Sequence, residues 1–342
     1  MESRIRPGAK VVVTGAAGFI GSHLVQKLLD RQCSVIGIDR RDLRSDPLTR
    51  VHLDAVLDQP KFSWVNADLL EADLPALLGG VDCVFHLAAV PGVRSSWTGF
   101  EDYVTANIVA TERLLQACQH AGTEKLVYAS SSSVYGSASA PSGENDVTQP
   151  ISPYGVTKLC GEQLCLAYAK IPASGLSATA LRYFTVYGAR QRPDMAIARI
   201  LTAALTGEQY TIFGDGTQRR EFTYVDDVVD ATVAAADVHV PAAVINVGGG
   251  SSVSLIDVIA MAREVTGNPV PLTAVAPQAG DVAATAADLT LARLLLNYQP
   301  HIDLRTGMAR HAEWLRDLPP QLLRAYVPPP SSVQQKESAC SK

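Results

Sequence analysis

Six runs of strand length along the first half of the chain are almost continuously apolar: KVVVTG (10–15), SVIGID (34–39), FSWVNAD (62–68), DCVFHLAA (82–89), KLVYAS (125–130) and SATALRYF (177–184). A strand with one wet face alternates, whereas a strand apolar throughout must be covered on both faces. Amphipathic stretches near 19–31, 101–121 and 153–170 lie between the runs and can supply that cover. The alternation predicts an α/β fold on a doubly wound parallel sheet. After about residue 187 the pattern turns irregular, with Gly/Pro turns in GARQRPD and FGDGTQRRE, and helices are predicted near 194–207, 226–237, 254–266 and 288–296. This half predicts a smaller α/β domain packed against the sheet. From Pro319 the sequence is proline-rich and then polar, which predicts a mobile tail over 319–342.

Composition removes several function classes. With 342 residues, 47% of them hydrophobic, the chain can bury a large core and form two domains. Net charge is -5 with both signs spread along the chain, so no basic stripe points to nucleic acid. No apolar run approaches the roughly 20 residues of a membrane span. The N-terminal MESRIRPGAK leads straight into the first run, which leaves no room for a signal peptide. Cysteines at 33, 83, 118, 160, 165 and 340 form no CxxC pair and lie mostly in apolar stretches. They read as buried thiols of a cytoplasmic protein rather than disulfides or metal ligands. The seven histidines have no metal-ligand spacing, and no metal is expected.

The first run continues into TGAAGFIGSHL, where Gly15, Gly18 and Gly21 form GxxGxxG at a strand-to-helix turn. Such glycines let the backbone approach a pyrophosphate, which then sits at a helix N-terminus. The second run ends in Asp39, 18 residues past Gly21. An acid there can accept from both adenosine ribose hydroxyls and would repel a 2′-phosphate, so this Rossmann-type arrangement favours NAD over NADP. Arg40 and Arg41 follow it and weigh the other way. Asp68 ends the third run, either beside the adenine or as a surface turn residue.

SPYGVTK places Tyr154 and Lys158 four apart on one helix face, with Pro153 able to start the helix. A tyrosine is a poor base, but a lysine ammonium and a positive nicotinamide ring favour its phenolate. The pair then forms a general base for an alcohol oxidised by NAD. A serine ends the fifth run about two dozen residues upstream.

TGAAGFIG, HLAA, SSSVYG, YGVTK and RYFTVYG together resemble the extended short-chain dehydrogenase/reductase family of nucleotide-sugar epimerases and dehydratases, over residues 10 to about 316. The resemblance implies an NAD-binding domain over 1–180, to which some later segments return, and a mainly nucleotide-sugar domain over 181–318. It implies NAD held tightly and recycled, and a nucleotide diphosphate sugar, here a UDP-sugar, as substrate. Tyr154, Lys158 and Ser131 would be catalytic, with Ser131 bonding the C4 hydroxyl. The cofactor would lie among Gly15, Gly18, Phe19, Ile20, Gly21, Asp39, Arg40, Asp68, Leu69, Leu87, Ala88, Ala89, Asn107, Ser130, Tyr154, Lys158 and Tyr183. The substrate would meet Pro91, Gly92, Arg94, Ser132, Ser133, Tyr154, Thr185, Arg192, Phe213, Arg220 and Asp281. Arg220, within FGDGTQRREFTYVDD, would hold the diphosphate. Asp281 lies in AGDVAATAAD, where Ala279 replaces the proline usual in the family's turn. The family also dimerises through the two helices near 101–121 and 154–170, which implies a homodimer.

The row ASSSSVYG (129–136) bears on the reaction. Family dehydratases carry Asp and Glu at the positions of Ser132 and Ser133, and sugar-acid decarboxylases carry Glu at that of Ser133. Hydroxyls alone cannot readily work as acid and base at C5. What remains is 4-epimerisation, in which hydride leaves C4, the ketone turns, and hydride returns on the other face. Thr185, where epimerases of neutral hexoses usually carry Asn, the nearby Arg190 and Arg192, and PGVRSSW (91–97) resemble the UDP-glucuronate 4-epimerases of the family. Ser132, Ser133, Thr185 and Arg192 would then hold a C5 carboxylate; alternatively Arg192 meets phosphate and the serines pack against the ring. Arg94 could serve either end of the substrate, or neither. The rival readings are a UDP-glucose or UDP-N-acetylglucosamine 4-epimerase, a UDP-glucuronate decarboxylase, a 4,6-dehydratase and, from another class, a non-catalytic NAD-binding regulator.

Overall fold

The computed structural model describes residues 3–137, 141–172, 175–276 and 284–327. Six strands match the six apolar runs: β1 (Lys10–Thr14), β2 (Ser34–Asp39), β3 (Phe62–Asn66), β4 (Cys83–His86), β5 (Lys125–Ser131) and β6 (Ser177–Tyr183). A seventh, Ala242–Val247, returns from the second half to pair with β6. All pairs are parallel, in the spatial order 3-2-1-4-5-6 followed by Ala242–Val247. This is the doubly wound Rossmann-type sheet expected. The strand order reverses between β1 and β4, and ligands bind above the carboxyl ends at such a switch point. The chain leaves those ends at the glycine turn, at Asp39, near Asp68, at Leu87 and at the serine row.

Helices Phe19–Asp30 and Pro153–Ala169 fall where the amphipathic stretches lie. Ser152 caps the second by accepting from Gly155 N at 3.1 Å, and Pro153 occupies its first turn. A Cβ at Gly155 would stand 2.6 Å from Ser133 O, so only glycine lets this helix approach the serine turn. The stretch expected as one helix over 101–121 is divided: Phe100–Val104, a π-helical turn Thr105–Val109, then Ala110–Ala121. A π turn adds a residue to the helical repeat and often re-aims a side chain near a site; the one re-aimed here is Asn107.

In the second half, helices Ala196–Thr206, Val225–Ala234, Leu255–Thr266 and Thr290–Leu296 occupy the expected places. Three two-stranded sheets accompany them, pairing Val186–Tyr187 with Thr223–Tyr224, Arg219–Glu221 with Ser252–Ser254, and Tyr210–Phe213 with Leu272–Val275. Leu304–Asp317 forms a helix that the apolar pattern obscured, because Gly307 and His311 stand on its buried face. The segment from Pro319, expected as a mobile tail, opens instead with the helix Pro320–Ala325 followed by a buried Tyr326. Among the described residues Cys33, Cys83, Cys118 and Cys165 are buried free thiols and Cys160 is half-buried, while Cys340 lies outside them. No helix of the described residues is long and apolar enough to cross a membrane, and no three metal-binding side chains converge there.

Lys125 opens β5 with no solvent exposure, donating to Thr179 Oγ1 at 2.8 Å and Val238 O at 2.7 Å. Burial pushes its ammonium down from 10.5 to about 8. The folded value lies below the unfolded one, so between those values the unfolded chain binds more protons. Lys125 therefore makes stability rise with pH across that window and lowers stability below it. Lys125→Met should abolish this gradient. In denaturant titrations, the stability of the parent relative to the variant should improve by roughly 2–3 kcal/mol between about pH 7 and about pH 10.

Candidate active site

A cavity of about 700 Å³ runs along the carboxyl edge of the sheet. Its wall includes every residue expected to touch the cofactor except Asn107. Gly15 turns the chain at φ 70°, and a Cβ there would stand 2.8 Å from Ala88 N, so the glycine turn and the loop after β4 can touch only without a side chain. Asp39 Oδ2 accepts from Ala17 N at 3.1 Å and Oδ1 from Arg41 N at 3.0 Å, which fixes the carboxylate beside that turn. Arg41 Nε lies 3.6 Å from Asp39 Oδ1, and Arg40 lies 3.7 Å from Asp68 Oδ2, so both basic residues are paired with acids of the site. Glycine cradle, helix N-terminus and strand-end carboxylate fit a dinucleotide: the turn would hold its pyrophosphate and Asp39 its adenosine ribose.

Asn107 is buried and away from the cavity. Its Oδ1 accepts from Val90 N at 2.7 Å, and its Nδ2 donates to Val90 O and Thr157 Oγ1, both at 3.1 Å. These bonds hold the loop after β4, whose residues Leu87 to Val90 line the cavity, so Asn107 stands behind the wall and not in it. A second tether was invisible in the sequence. Ala88 N donates to Thr14 Oγ1 at 3.2 Å, Thr14 bonds His86 Nδ1 at 2.7 Å, and His86 Nε2 bonds Thr111 Oγ1 at 2.9 Å. Burial pushes His86 down to about 3, so it serves this chain as the neutral imidazole.

Tyr154, Lys158 and Ser130 to Ser133 share the cofactor cavity's wall. Ser131 Oγ caps the short turn Ser132–Val134 by accepting from Ser133 N at 3.1 Å. Below the serines lies a buried network. Arg182 meets Glu162 through Nη2 at 2.7 Å and Nε at 3.0 Å, and Ser130 Oγ donates to the same carboxylate at 2.7 Å. Arg182 Nη1 donates to Tyr135 OH at 2.9 Å, which donates to Asn246 Oδ1 at 2.7 Å.

A second cavity, about 810 Å³, opens toward the C-terminal half and brings together Gly92, Arg94, Thr185, Arg192, Phe213 and Arg220 of the expected substrate set. The Arg94 guanidinium lies 4.7 Å over the Phe213 ring, which assigns Arg94 to this end. Arg199, Tyr210 and Gln218 also line it and escaped the sequence reading. Arg199 stacks 5.3 Å from the Tyr210 ring, and its signal was a lone charge in the apolar helix Ala196–Thr206. Arg94, Arg192, Arg199 and Arg220, the rings of Tyr210 and Phe213 and the Gln218 amide suit a nucleotide diphosphate. Gly92, Val93, Thr185, Arg192, Pro193 and Tyr326 belong to both walls, so the cavities meet there. Pro91, Ser132 and Ser133 lie on the cofactor side. Asp281 and Ala279 lie outside the described residues.

A family model described as the NAD dependent epimerase/dehydratase family matches residues 11–248. The chain belongs to that family. It is 43% identical over 314 residues, 90% of this chain and 98% of the relative, to an uncharacterized UDP-glucose epimerase, YtcB, of Bacillus subtilis (strain 168). MoeE5, solved with NAD and either UDP-glucose or UDP-glucuronic acid, is 45% identical with a TM-score of 0.84, covering 90% of this chain and 99% of its own. The UDP-glucuronic acid 4-epimerase from Bacillus cereus, solved with UDP-glucuronic acid and NAD, is 42% identical with a TM-score of 0.85 and the same coverages.

In this member of the family, burial and nearby charges act on both Tyr154 and Lys158. Burial holds the Tyr154 phenol above its ordinary value, while a hydrogen bond with Ser131 and the Arg192 charge pull it back. Lys158 is pushed down to about 8 by burial, and its ammonium lies 4.3 Å over the Tyr128 ring. In this geometry Ser131 and Arg192 lower the phenol. Bound NAD would add the positive charge of its nicotinamide ring beside the phenol. Tyr154→Phe should leave binding of NAD and UDP nearly unchanged by calorimetry while turnover falls at least about a hundredfold.

Proposed function

We propose that this isomerase is a UDP-glucuronate 4-epimerase, converting UDP-glucuronate to UDP-galacturonate and back through a 4-keto intermediate. One observation carries the reading. Thr185 and Arg192 stand where the two cavities meet, between the catalytic tyrosine and the nucleotide end, and the turn beside Ser131 offers only the hydroxyls of Ser132 and Ser133. A sugar spanning the cavities would present its C5 substituent to that set. Arg192 is prepared for an anion: Asp194 holds its Nε at 2.9 Å and Nη2 at 2.8 Å, fixing the guanidinium plane, and Nη1 makes neither of those bonds. The Bacillus cereus enzyme and MoeE5 in its UDP-glucuronic acid complex support the reading; YtcB and the UDP-glucose complex of MoeE5 favour a UDP-glucose 4-epimerase as the second one.

Bound NAD supplies the oxidation and reduction at C4. Tyr154 takes the proton of the C4 hydroxyl and gives it back, with Ser131 bonding the same oxygen and Lys158 holding the proton balance. The 4-keto uronic acid is a β-keto acid, which loses CO2 when its C5–carboxylate bond aligns with the carbonyl π system. A carboxylate held by Arg192, Thr185 and the serines is kept out of that alignment, and no acid stands by to protonate C5.

On UDP-glucuronate, NMR should show UDP-galacturonate at equilibrium with no stoichiometric NADH by absorbance. Arg192→Ala or Thr185→Val should weaken UDP-glucuronate but not UDP-glucose. For Arg192 the loss should be roughly 2 kcal/mol, the low end for a charge partner removed, since its side chain keeps 34% exposure. Both variants should leak UDP-4-keto-pentose. Equal losses on both substrates without pentose would return Arg192 to the phosphate and favour the UDP-glucose reading.

We infer that the chain forms a homodimer. Leu114, Leu115 and Cys118 of LLQAC are buried within the chain, but Val109 and Val156 on the paired helices are 47% and 45% exposed, with Phe100 and Ile151 close by. An apolar face of this kind on two neighbouring helices fits a second copy. Light scattering at micromolar concentration should give twice the chain mass. The buried free thiols fit a reducing, cytoplasmic setting.

A further inference from the structure

Residues 319–327 follow the helix Leu304–Asp317 and lie beyond the motifs that carry the family resemblance. The matches to YtcB and MoeE5 cover 98% and 99% of those proteins and 90% of this chain. No residue of the helix Pro320–Ala325 is buried. Two side chains seat the segment: Leu323 packs half-buried on the core, and Tyr326 is 1% exposed. Tyr326 stands in the wall of both cavities, with Ala325 and Val327 beside it in the nucleotide cavity. Its ring meets Trp314 edge-on at 5.8 Å. Its hydroxyl is buried without a hydrogen-bond partner among the described residues, and burial alone holds the phenol above its ordinary value.

A buried hydroxyl without a partner has lost its water and gained nothing in return. The surroundings share the defect. His52 and His311 lie 6.4 and 6.2 Å from Trp314, and His52 Nε2 and both ring nitrogens of His311 also lack partners among the described residues. His52 belongs to the cofactor cavity's wall, and its Nδ1 donates to Ala17 O of the glycine turn at 2.9 Å. The seat of the segment thus has apolar contact and poor polar pairing. Such a seat closes by burying a ring and opens readily.

We propose that residues 319–327 are a latch across the junction of the cofactor and nucleotide cavities. The Tyr326 ring seats it against Trp314, its unpaired hydroxyl keeps it releasable, and the latch sets how fast both bound nucleotides exchange. This rests on the nucleotide-binding part of the functional reading and not on the identity of the sugar. A change of preferred sugar would therefore leave the latch standing, and failure of the latch would leave the epimerase reading standing.

The test uses the full chain with Tyr326→Phe and Tyr326→Ala. Release of prebound UDP is followed by stopped-flow displacement, and release of NAD by exchange against excess labelled NAD. Tyr326→Phe keeps the ring and removes the hydroxyl. It should slow release of both ligands roughly fivefold or more, the factor matching relief of an unpaired buried hydroxyl. Tyr326→Ala should speed both by a similar factor, and if it does not fold, Tyr326→Phe decides alone. A Phe variant that releases either ligand at the parent rate or faster would overturn the proposal.

Discussion

Arg182 on β6 and Glu162 on the catalytic helix meet bidentately, at 2.7 and 3.0 Å, with side chains 4% and 0% exposed. The pair ties the serine turn, the helix Pro153–Ala169 and the returning strand together. Ser130 donates to Glu162, which fixes the end of β5 against the helix that carries Tyr154 and Lys158. Tyr135 links Arg182 to Asn246, so the serine turn and the returning strand Ala242–Val247 are held as well. A pair this deep adds little net stability, because both charges were taken out of water. Removing one partner, however, would strand the other at a cost of about 3–5 kcal/mol. Its effect is thus to make one relative placement of sheet, helix and turn far better than its neighbours. General acid–base chemistry needs that, since a proton-transfer partner must lie within hydrogen-bond reach.

Tyr154 and Lys158, the proposed catalytic pair, are held away from their charged forms. Burial raises the Tyr154 phenol and lowers the Lys158 ammonium, so without ligands the pair tends toward neutrality on both members. The positive ring of a bound dinucleotide would shift the phenol toward phenolate. Reactivity is thereby coupled to cofactor occupancy, a consequence of desolvation that a more exposed pair would not have.

The same economy of charge marks the junction between the cavities. Among the described residues, the acids in the walls of the two cavities are Asp39, Asp46, Asp68 and Asp194. Asp39 and Asp68 are ion-paired at the adenosine end, Asp46 caps the helix Pro47–Leu53, and Asp194 pairs with Arg192. Serine hydroxyls and one oriented guanidinium remain beside the tyrosine. That arrangement can hold an anionic substituent at C5 without offering it acid–base chemistry, which is what separates epimerisation from elimination or loss of CO2 on a shared 4-keto intermediate.

The sequence by itself determined the first six strands of the sheet, the glycine turn, Asp39 and the Tyr154–Lys158 pair, because each is a local pattern. Apolar runs decide burial on both faces, φ 70° at Gly15 admits little but glycine, and a spacing of four sets two side chains on one helix face. Family likeness extended this to the serine row, Thr185 and Arg192. Tertiary structure alone decided matters in which the partners lie far apart in the chain. Asn107 became a tether for Val90 because a π turn aims it there, and Thr14, His86 and Thr111 form one chain of bonds across β1, β4 and a helix. Arg199, Tyr210 and Gln218 reached the nucleotide cavity, and Tyr326 reached both, from segments whose local pattern speaks only of helix, turn or tail. Periodicity tells a side chain whether it is buried. What it is buried against depends on which elements cross it, and that is settled by packing across hundreds of residues.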